Sequence, residues 1–415
     1  MLLIALMSIT FALVLTPAIR ALAWRFGAVS WPDNGRNWHV QPTALWGGIA
    51  VHGALLLSLV AYYSTAPGAV NVLWLPIGLG LSGTMLCLLG CWDDLCGLSA
   101  HWKLLGQIVS ILPTVLLGCC VERVVFFGYH VELGWLSIPA TVGWLVLGTN
   151  ALNLLDGMDG LASVTAIVIS AAVAVIAAGQ GYFEVMLLAL ALAGALAGFL
   201  VFNLPPARVY LGDAGSLLIG FVLSLLVLQV SLVGPMTANL AVAAVLLFVP
   251  LLDTGLAVVR RTLRGRCFMV ADRGHIHHRL LDQGYNTWQV LGLIGGFCLT
   301  TGIIAWLMAV LGWELWGWAV LAGITVLAVN RQLLGHVEWQ LARQFFTRSA
   351  ALWQRLPPTG SLSRLRGDDP AASVAPRVPP GGESSEWADR LPLEAPDPPF
   401  RTELEAPVNE PQKAA

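Results

Sequence analysis

Apolar residues fill the first 330 positions in long runs, separated by short polar breaks. A helix needs about 17–25 such residues to cross a bilayer. Runs of that kind fall near residues 2–19, 46–64, 73–91, 104–121, 138–155, 160–179, 183–203, 214–233, 237–259, 289–310 and 313–330. The pattern predicts an all-α polytopic membrane protein of about eleven transmembrane helices. Composition agrees, because 57% of the 415 residues are hydrophobic and only 11% charged, a balance that excludes an ordinary soluble fold. The net charge of −2 says nothing about partners. The seven cysteines show no C-x-x-C spacing and mostly sit in apolar runs, so they read as small buried hydrophobes.

Charge sets the orientation. No basic residue precedes the first run, and Arg20 follows it. That order predicts an uncleaved first span with its N-terminus outside, although Ala21-Leu22-Ala23 mimics a cleavage site. The inside breaks then hold Arg20, Arg25, Arg36, Lys103, Arg208, Arg260, Arg261, Arg264, Arg266, Arg273 and Arg279, and the outside breaks only Arg123. Positive residues collect on the cytoplasmic side, so the C-terminus is cytoplasmic too. The same orientation gathers three acidic breaks on that face: Asp93-Asp94, Asp156 to Asp159, and Asp213. The basic stretch 260–288 joins them.

Past 330 the pattern changes. Residues 331–355, with Trp339, Phe345, Phe346 and Trp353 among Arg and Gln, read as an amphipathic surface helix. Residues 356–415 are rich in Pro, Gly, Ser and Glu and read as a disordered cytoplasmic tail, since they cannot bury enough apolar surface to offset their ordering entropy.

The polar breaks carry the candidate chemistry. Adjacent carboxylates at Asp93 and Asp94 repel, and need a cation, a shared proton or open water. They are either a solvated helix end or a base beside a phosphate-and-metal site. Lys103 is the only lysine before residue 413; it either snorkels or meets a phosphate as a point charge. Asn150, Asn153, Asp156 and Asp159 recur every three residues, which on a continuing helix makes a polar stripe. Asp213 is either an N-cap or a cation ligand. Oxygen donors suit Mg²⁺ or Mn²⁺ rather than zinc. His275, His277, His278 and Arg279 lie in an arginine-rich stretch that reflects topology or grips phosphate; no nearby Cys or acid completes a zinc spacing. A secondary transporter is the reading from another class. It needs ionisable groups near the midplane, whereas Glu184, Asp253 and Glu314 fall nearer the span ends.

The strings DDLCGL, NALNLLDGMDGLA, VYLGDAGSLLIG, VPLLDTG and HIHHRL occur in that order between the spans. Together they resemble the bacterial polyprenyl-phosphate N-acetylhexosamine-1-phosphate transferases over about residues 1–330. HIHHRL is similar to the branch that uses GlcNAc. The resemblance implies transfer of a UDP-sugar's N-acetylhexosamine 1-phosphate to undecaprenyl phosphate, releasing UMP and starting a lipid-linked cell-surface glycan. It implies Mg²⁺ (or Mn²⁺) on Asn153 and Asp213, and Asp93 acting on the lipid phosphate with Asp94 in support. Lys103 matches the lysine beside that phosphate, Asp159 the residue reading the uracil, and Tyr210 an aromatic stacked on it. Asp156, His275, His277, His278 and Arg279 match site-lining positions, Asp156 with the catalytic acids. GlcNAc is the expected sugar; FucNAc, QuiNAc or MurNAc-pentapeptide are the alternatives. The implied setting is the bacterial inner membrane, with a homodimer as the assembly and no nucleic-acid partner. One segment departs: Asn37 stands where many members have Lys, and Leu45 near an expected Arg, so the first inside loop lacks two charges.

Overall fold

The computed structural model describes residues 2–31, 42–65, 74–234, 236–265, 274–335, 338–341, 343, 344 and 347. The chain divides into Met1–Ala351 and Leu352–Ala415, and the second unit lies outside the described residues. So do Arg36 and Asn37 of the first inside loop.

Among the described residues, eight helices are long and apolar enough to cross a membrane. They are α1 (Leu2–Phe26), α2 (Gly47–Thr65), α3 (Trp74–Cys96), α5 (Ser137–Leu155, preceded by a 3-10 turn), α6 (Leu161–Gln180), α7 (Phe183–Asn203), α8 (Gly212–Val230) and α12 (Thr287–Leu311). The chain is therefore a polytopic helical membrane protein. Of the other three expected spans, α4 (Ala100–Leu116) and α13 (Glu314–Asn330) are shorter, at 17 residues each. The third is broken: α9 (Leu240–Leu246) and α10 (Phe248–Leu263) meet at 84°. A short α11 (Ile276–Asp282) lies between α10 and α12.

Burial orders the bundle. In α8, 94% of the most apolar window is buried, against 22% in α1. A helix apolar on every side belongs in the middle, and α8 is packed by α2, α3, α5 and α6. Helix α1 lies outermost of these spans, against α2 and α7. Its Ala21-Leu22-Ala23 sequence sits inside a continuous helix.

Contact between α3 and α8 is backbone to backbone near the acids. A Cβ at Gly90 would overlap the backbone of Asp213 and Ala214. Only glycine lets the end of α3 and the start of α8 approach so closely.

Two small sheets were not legible in the helical pattern. At the end of the bundle near the start of α8, β1 (Val29–Ser30) pairs antiparallel with β2 (Thr43–Ala44), and Ala44 bridges Val209. At the other end of α8, a sheet of order β4-β3-β6-β5 joins two loops. Its strands are β3 (Arg123–Phe126), β4 (Tyr129–Glu132), β5 (Leu232–Gly234) and β6 (Thr237–Asn239). Glu314 at the start of α13 ties to it, accepting from Phe127 N–H and from the Asn239 side chain.

Candidate active site

The acids meet at the start of α8. Asp94 comes from α3, yet its carboxylate accepts the Asp213 N–H at 2.8 Å and the Ala214 N–H at 3.4 Å. A helix N-terminus carries unpaired N–H groups and partial positive charge, so a carboxylate there is favoured. Asp94 thus caps α8 from a neighbouring helix, and Asp213 does not have to cap its own. Read from the sequence as support for Asp93, Asp94 gives both oxygens to this clamp.

The Asp213 side chain turns instead to its neighbours. Its Oδ1 accepts from Lys103 Nζ at 2.9 Å and from the Asn153 amide. Lys103 also bonds Asp93 Oδ2 at 2.8 Å. The other Asp93 oxygen accepts Leu98 N–H at 2.6 Å, which fixes the carboxylate through its own turn. Asn153 further donates to Ser216 Oγ at 2.8 Å. One ammonium therefore bridges two carboxylates drawn from α3 and α8, with Asn153 of α5 on the far side. Residues 93, 103, 153 and 213 form one connected group.

The expected polar stripe does not continue along a helix. Helix α5 ends at Leu155, with Asp156 as its C-cap. Asn150 pairs with Gln107 of α4, each amide donating to the other, and serves packing. Asp156 and Asp159 are placed by the turn that follows. Asp159 Oδ2 accepts Ala207 N–H at 2.9 Å, while its Oδ1 is buried with no hydrogen-bond partner among the described residues. That turn borders a cavity of about 310 Å³, lined also by Asn153, Tyr210, Asp213 and Ser216. Leu45 lines it as well. Burial, and then the charges of Asp213, Asp94 and Asp159, push the Asp156 carboxyl up to about 8.

A hard divalent cation fits these residues. The donors at hand are carboxylate and amide oxygens of Asp213, Asp156 and Asn153, all lining one cavity. Among the described residues, no group of three His, Cys, Asp or Glu is arranged to hold a metal by itself. The remaining ligands would come from a diphosphate and water, as is usual for Mg²⁺.

A second cavity, about 750 Å³ in volume, opens between α3 and α4 beside the acids. Its lining is apolar and includes Leu88, Trp92, Leu98, Trp102 and Leu105. Trp92 and Trp102 of this lining are next in sequence to Asp93 and Lys103.

The histidine turn lies apart in its bonding. His275 Nδ1 pairs with Asp253 Oδ2 at 2.8 Å, and Ile276 N–H donates to Asp253 Oδ1 at 2.8 Å. The His277 ring stacks near His275 and tilts against His278. It also sits on the cavity turn, where a Cβ at Gly157 would overlap its Nε2. Burial holds the His277 imidazole well below its usual range, at about 3, so it is neutral. Arg279 does not face the cavity as a phosphate grip. Glu338 takes its guanidinium in a two-pronged pair. Sequence reasoning missed three residues here. Asp253 carried a signal, an acid inside an apolar run. Ser216 and Glu338 carried none.

The profile of glycosyl transferase family 4 matches residues 76–231, which span α3 to α8 and every acid of the cluster. Over 348 residues the chain is 30% identical to a probable undecaprenyl-phosphate N-acetylglucosaminyl 1-phosphate transferase of Bacillus subtilis, covering 82% of this chain and 92% of the relative. The chain belongs to glycosyl transferase family 4. A decaprenyl-phosphate N-acetylglucosaminephosphotransferase of Mycolicibacterium smegmatis is 34% identical over 347 residues, covering 73% of this chain and 80% of the relative. A phospho-N-acetylmuramoyl-pentapeptide-transferase of Bacillus subtilis is 28% identical over 317 residues, covering 69% and 89%. The family match includes Asp93, Asp94, Lys103, Asn153, Asp156, Asp159, Tyr210 and Asp213, and ends before the histidine turn.

Proposed function

We propose that this glycosyl transferase family 4 protein moves GlcNAc 1-phosphate from UDP-GlcNAc to undecaprenyl phosphate, releasing UMP. The observation that carries the reading is the position of the Asp93–Lys103–Asp213–Asn153 group. Its Asn153 and Asp213 line the polar cavity, and its Asp93 and Lys103 follow Trp92 and Trp102 of the apolar groove in sequence. A nucleotide sugar needs the first and a polyprenyl chain the second. The relatives' names support a polyprenyl-phosphate acceptor and a transferred N-acetylglucosamine phosphate.

The chemistry follows from the charges. An oxygen of the lipid phosphate attacks the β-phosphorus of the UDP-sugar. The bond from that phosphorus to the UMP oxygen breaks, and UMP leaves. Two anions must meet, so positive charge and alignment carry most of the catalysis. Lys103 meets the lipid phosphate at the groove mouth, and Asp93 orients the lysine and takes up a proton from that phosphate. Asp213, Asn153 and Asp156 hold Mg²⁺ (or Mn²⁺), which when bound supplies charge to the diphosphate oxygens. The free Oδ1 of Asp159 accepts from the imide N–H of the uracil, and Tyr210 lies beside it on the cavity wall.

The reading includes eleven spans, the N-terminus outside, a cytoplasmic C-terminus, a homodimer in the bacterial inner membrane, a transferase domain over 1–330 and a dispensable tail over 356–415. A transporter would use the α9–α10 break as an ion site. Asp253, in the second turn of α10, is instead bonded to His275 and Ile276.

The test is purified protein with undecaprenyl phosphate, Mg²⁺ and a panel of UDP-N-acetylhexosamines. UMP release with UDP-GlcNAc is the expected result. Release with none of the panel would refute the reading, and release only with another sugar would move it to that alternative.

A further inference from the structure

The chain beyond α13 returns to α11 at two points: the Gln332 carbonyl accepts from the Gln283 side chain at 2.7 Å, and Glu338 meets Arg279. Glu338 lies 59 residues from Arg279 and 78 from Arg260. Arg279 donates to both of its oxygens, Nη1 to Oε2 at 2.8 Å and Nη2 to Oε1, and Arg260 Nη1 donates to Oε1 as well. Arg260 is 2%, Glu338 4% and Arg279 8% exposed. Three charged side chains are buried together, and removing the carboxylate takes a buried counter-charge from both guanidinium groups. A residue that reads as part of a surface helix is thus a structural member of the core.

Its place matters because of what α11 carries. This helix has seven residues, too few to hold its own shape. Its two ends are fixed by carboxylates from elsewhere. Asp253 of α10 holds the first turn through His275 and Ile276, and Glu338 holds the last through Arg279. His277 lies between these anchors. It is 1% exposed, and neither ring nitrogen has a hydrogen-bond partner among the described residues. No polar bond sets the ring, so the position of α11 does. The ring rests on Gly157, which lines the polar cavity beside Asp156.

We propose that Glu338 is a positioning residue for the sugar-nucleotide side of the site. By gripping Arg279 and Arg260 it fixes α11, and so seats His277 against the 156–160 turn. The groove between α3 and α4, on the lipid side, does not depend on it. The kinetic half of this inference rests on the proposed transfer reaction; the structural half does not.

Two measurements on the full chain in detergent test it. The first is deuterium uptake. In Glu338→Gln, peptides covering 274–282 and 156–160 should exchange faster than in wild type, while those of α1 and α2 stay unchanged. The second is UMP release with each substrate varied. The KM for the UDP-sugar should rise about tenfold, the scale expected when a reacting partner is misplaced by a fraction of an ångström. The KM for undecaprenyl phosphate should stay within about twofold, since its groove is not touched. Glu338→Asp keeps the charge on a shorter arm and should restore part of both effects; it also supplies the readout if the glutamine variant fails to fold. Unchanged uptake at 274–282 would overturn the latch. Faster uptake with an unaltered UDP-sugar KM, or with both KM values raised alike, would overturn its role on the donor side. A wild type that releases no UMP from any UDP-sugar refutes the transfer reading, while the uptake comparison still decides the latch.

Discussion

Two charged clusters sit on neighbouring parts of this protein, and they are built on opposite terms. In the cluster at the start of α8, one lysine answers Asp93 and Asp213, and Asp156 and Asp159 crowd beside them along an open cavity. In the cluster under α11, two arginines close on the single carboxylate of Glu338, with almost no exposure. The carboxylates respond accordingly. Burial and like charge push Asp156 up to about 8. Burial alone would raise Glu338 too, but its bonds to Arg279 and the charge of Arg260 hold it below the usual carboxylate range. The first cluster is short of positive charge, which suits the cation and the two phosphates of the proposed transfer. The second sets two guanidinium groups on one carboxylate and ties α10 and α11 to the chain beyond α13.

The largest break should come from the open cluster. Asp213→Asn should lower UMP release by about 10³-fold, the upper range for losing one electrostatic contact to a transition state. The protein should still elute as a folded species from gel filtration, and excess chelator should reproduce the loss in wild type. Full turnover in chelator would mean that no divalent cation serves the site.

The closed cluster should break differently. Glu338→Ala takes the shared carboxylate from two buried guanidinium groups and should destabilise the fold by about 3–5 kcal/mol. Thermal unfolding in detergent measures it. A loss under about 1 kcal/mol, as for an exposed pair, would mean that the cluster is open to solvent.

pH sharpens the contrast. The folded, cation-free protein keeps a proton on Asp156 that the unfolded chain releases near pH 4, so this group lowers stability progressively as pH rises from about 4 to about 8. Glu338 has the reverse sign. Its contribution is present above its unfolded value and is lost as pH falls through the lower folded one. Because a cation must displace the Asp156 proton, Mg²⁺ binding should tighten as pH rises from about 6 to about 9. Titration calorimetry should show the slope in wild type and a flatter one in Asp156→Asn. Equal slopes would remove Asp156 from the cation site.

The smallest effect should come from the tail. Truncation after Pro357 keeps both clusters and should leave UMP release within about twofold of wild type, because a terminal segment rich in Pro, Gly, Ser and Glu and without a site motif is usually tolerated. Truncation after Gly335 removes Glu338 and should behave like Glu338→Ala. A large loss of turnover after Pro357, at unchanged expression, would give the tail a part in the site.

The sequence by itself determined the membrane class, the convergence of acidic breaks on one face and the family. Run length, charge placement and motif order are local quantities, and a bilayer turns them directly into structure. It also picked out Asp93, Lys103, Asn153 and Asp213, which the fold joins through direct bonds. Tertiary structure decided the division of labour among the charges. Asp94 looks like a twin of Asp93 in sequence, but the close approach at Gly90 places it over the α8 terminus as a cap. Arg279 looks like a phosphate grip, but Glu338, 59 residues away, takes both its prongs. Which partner a buried charge finds depends on which helices pack side by side, and a linear sequence does not carry that distance.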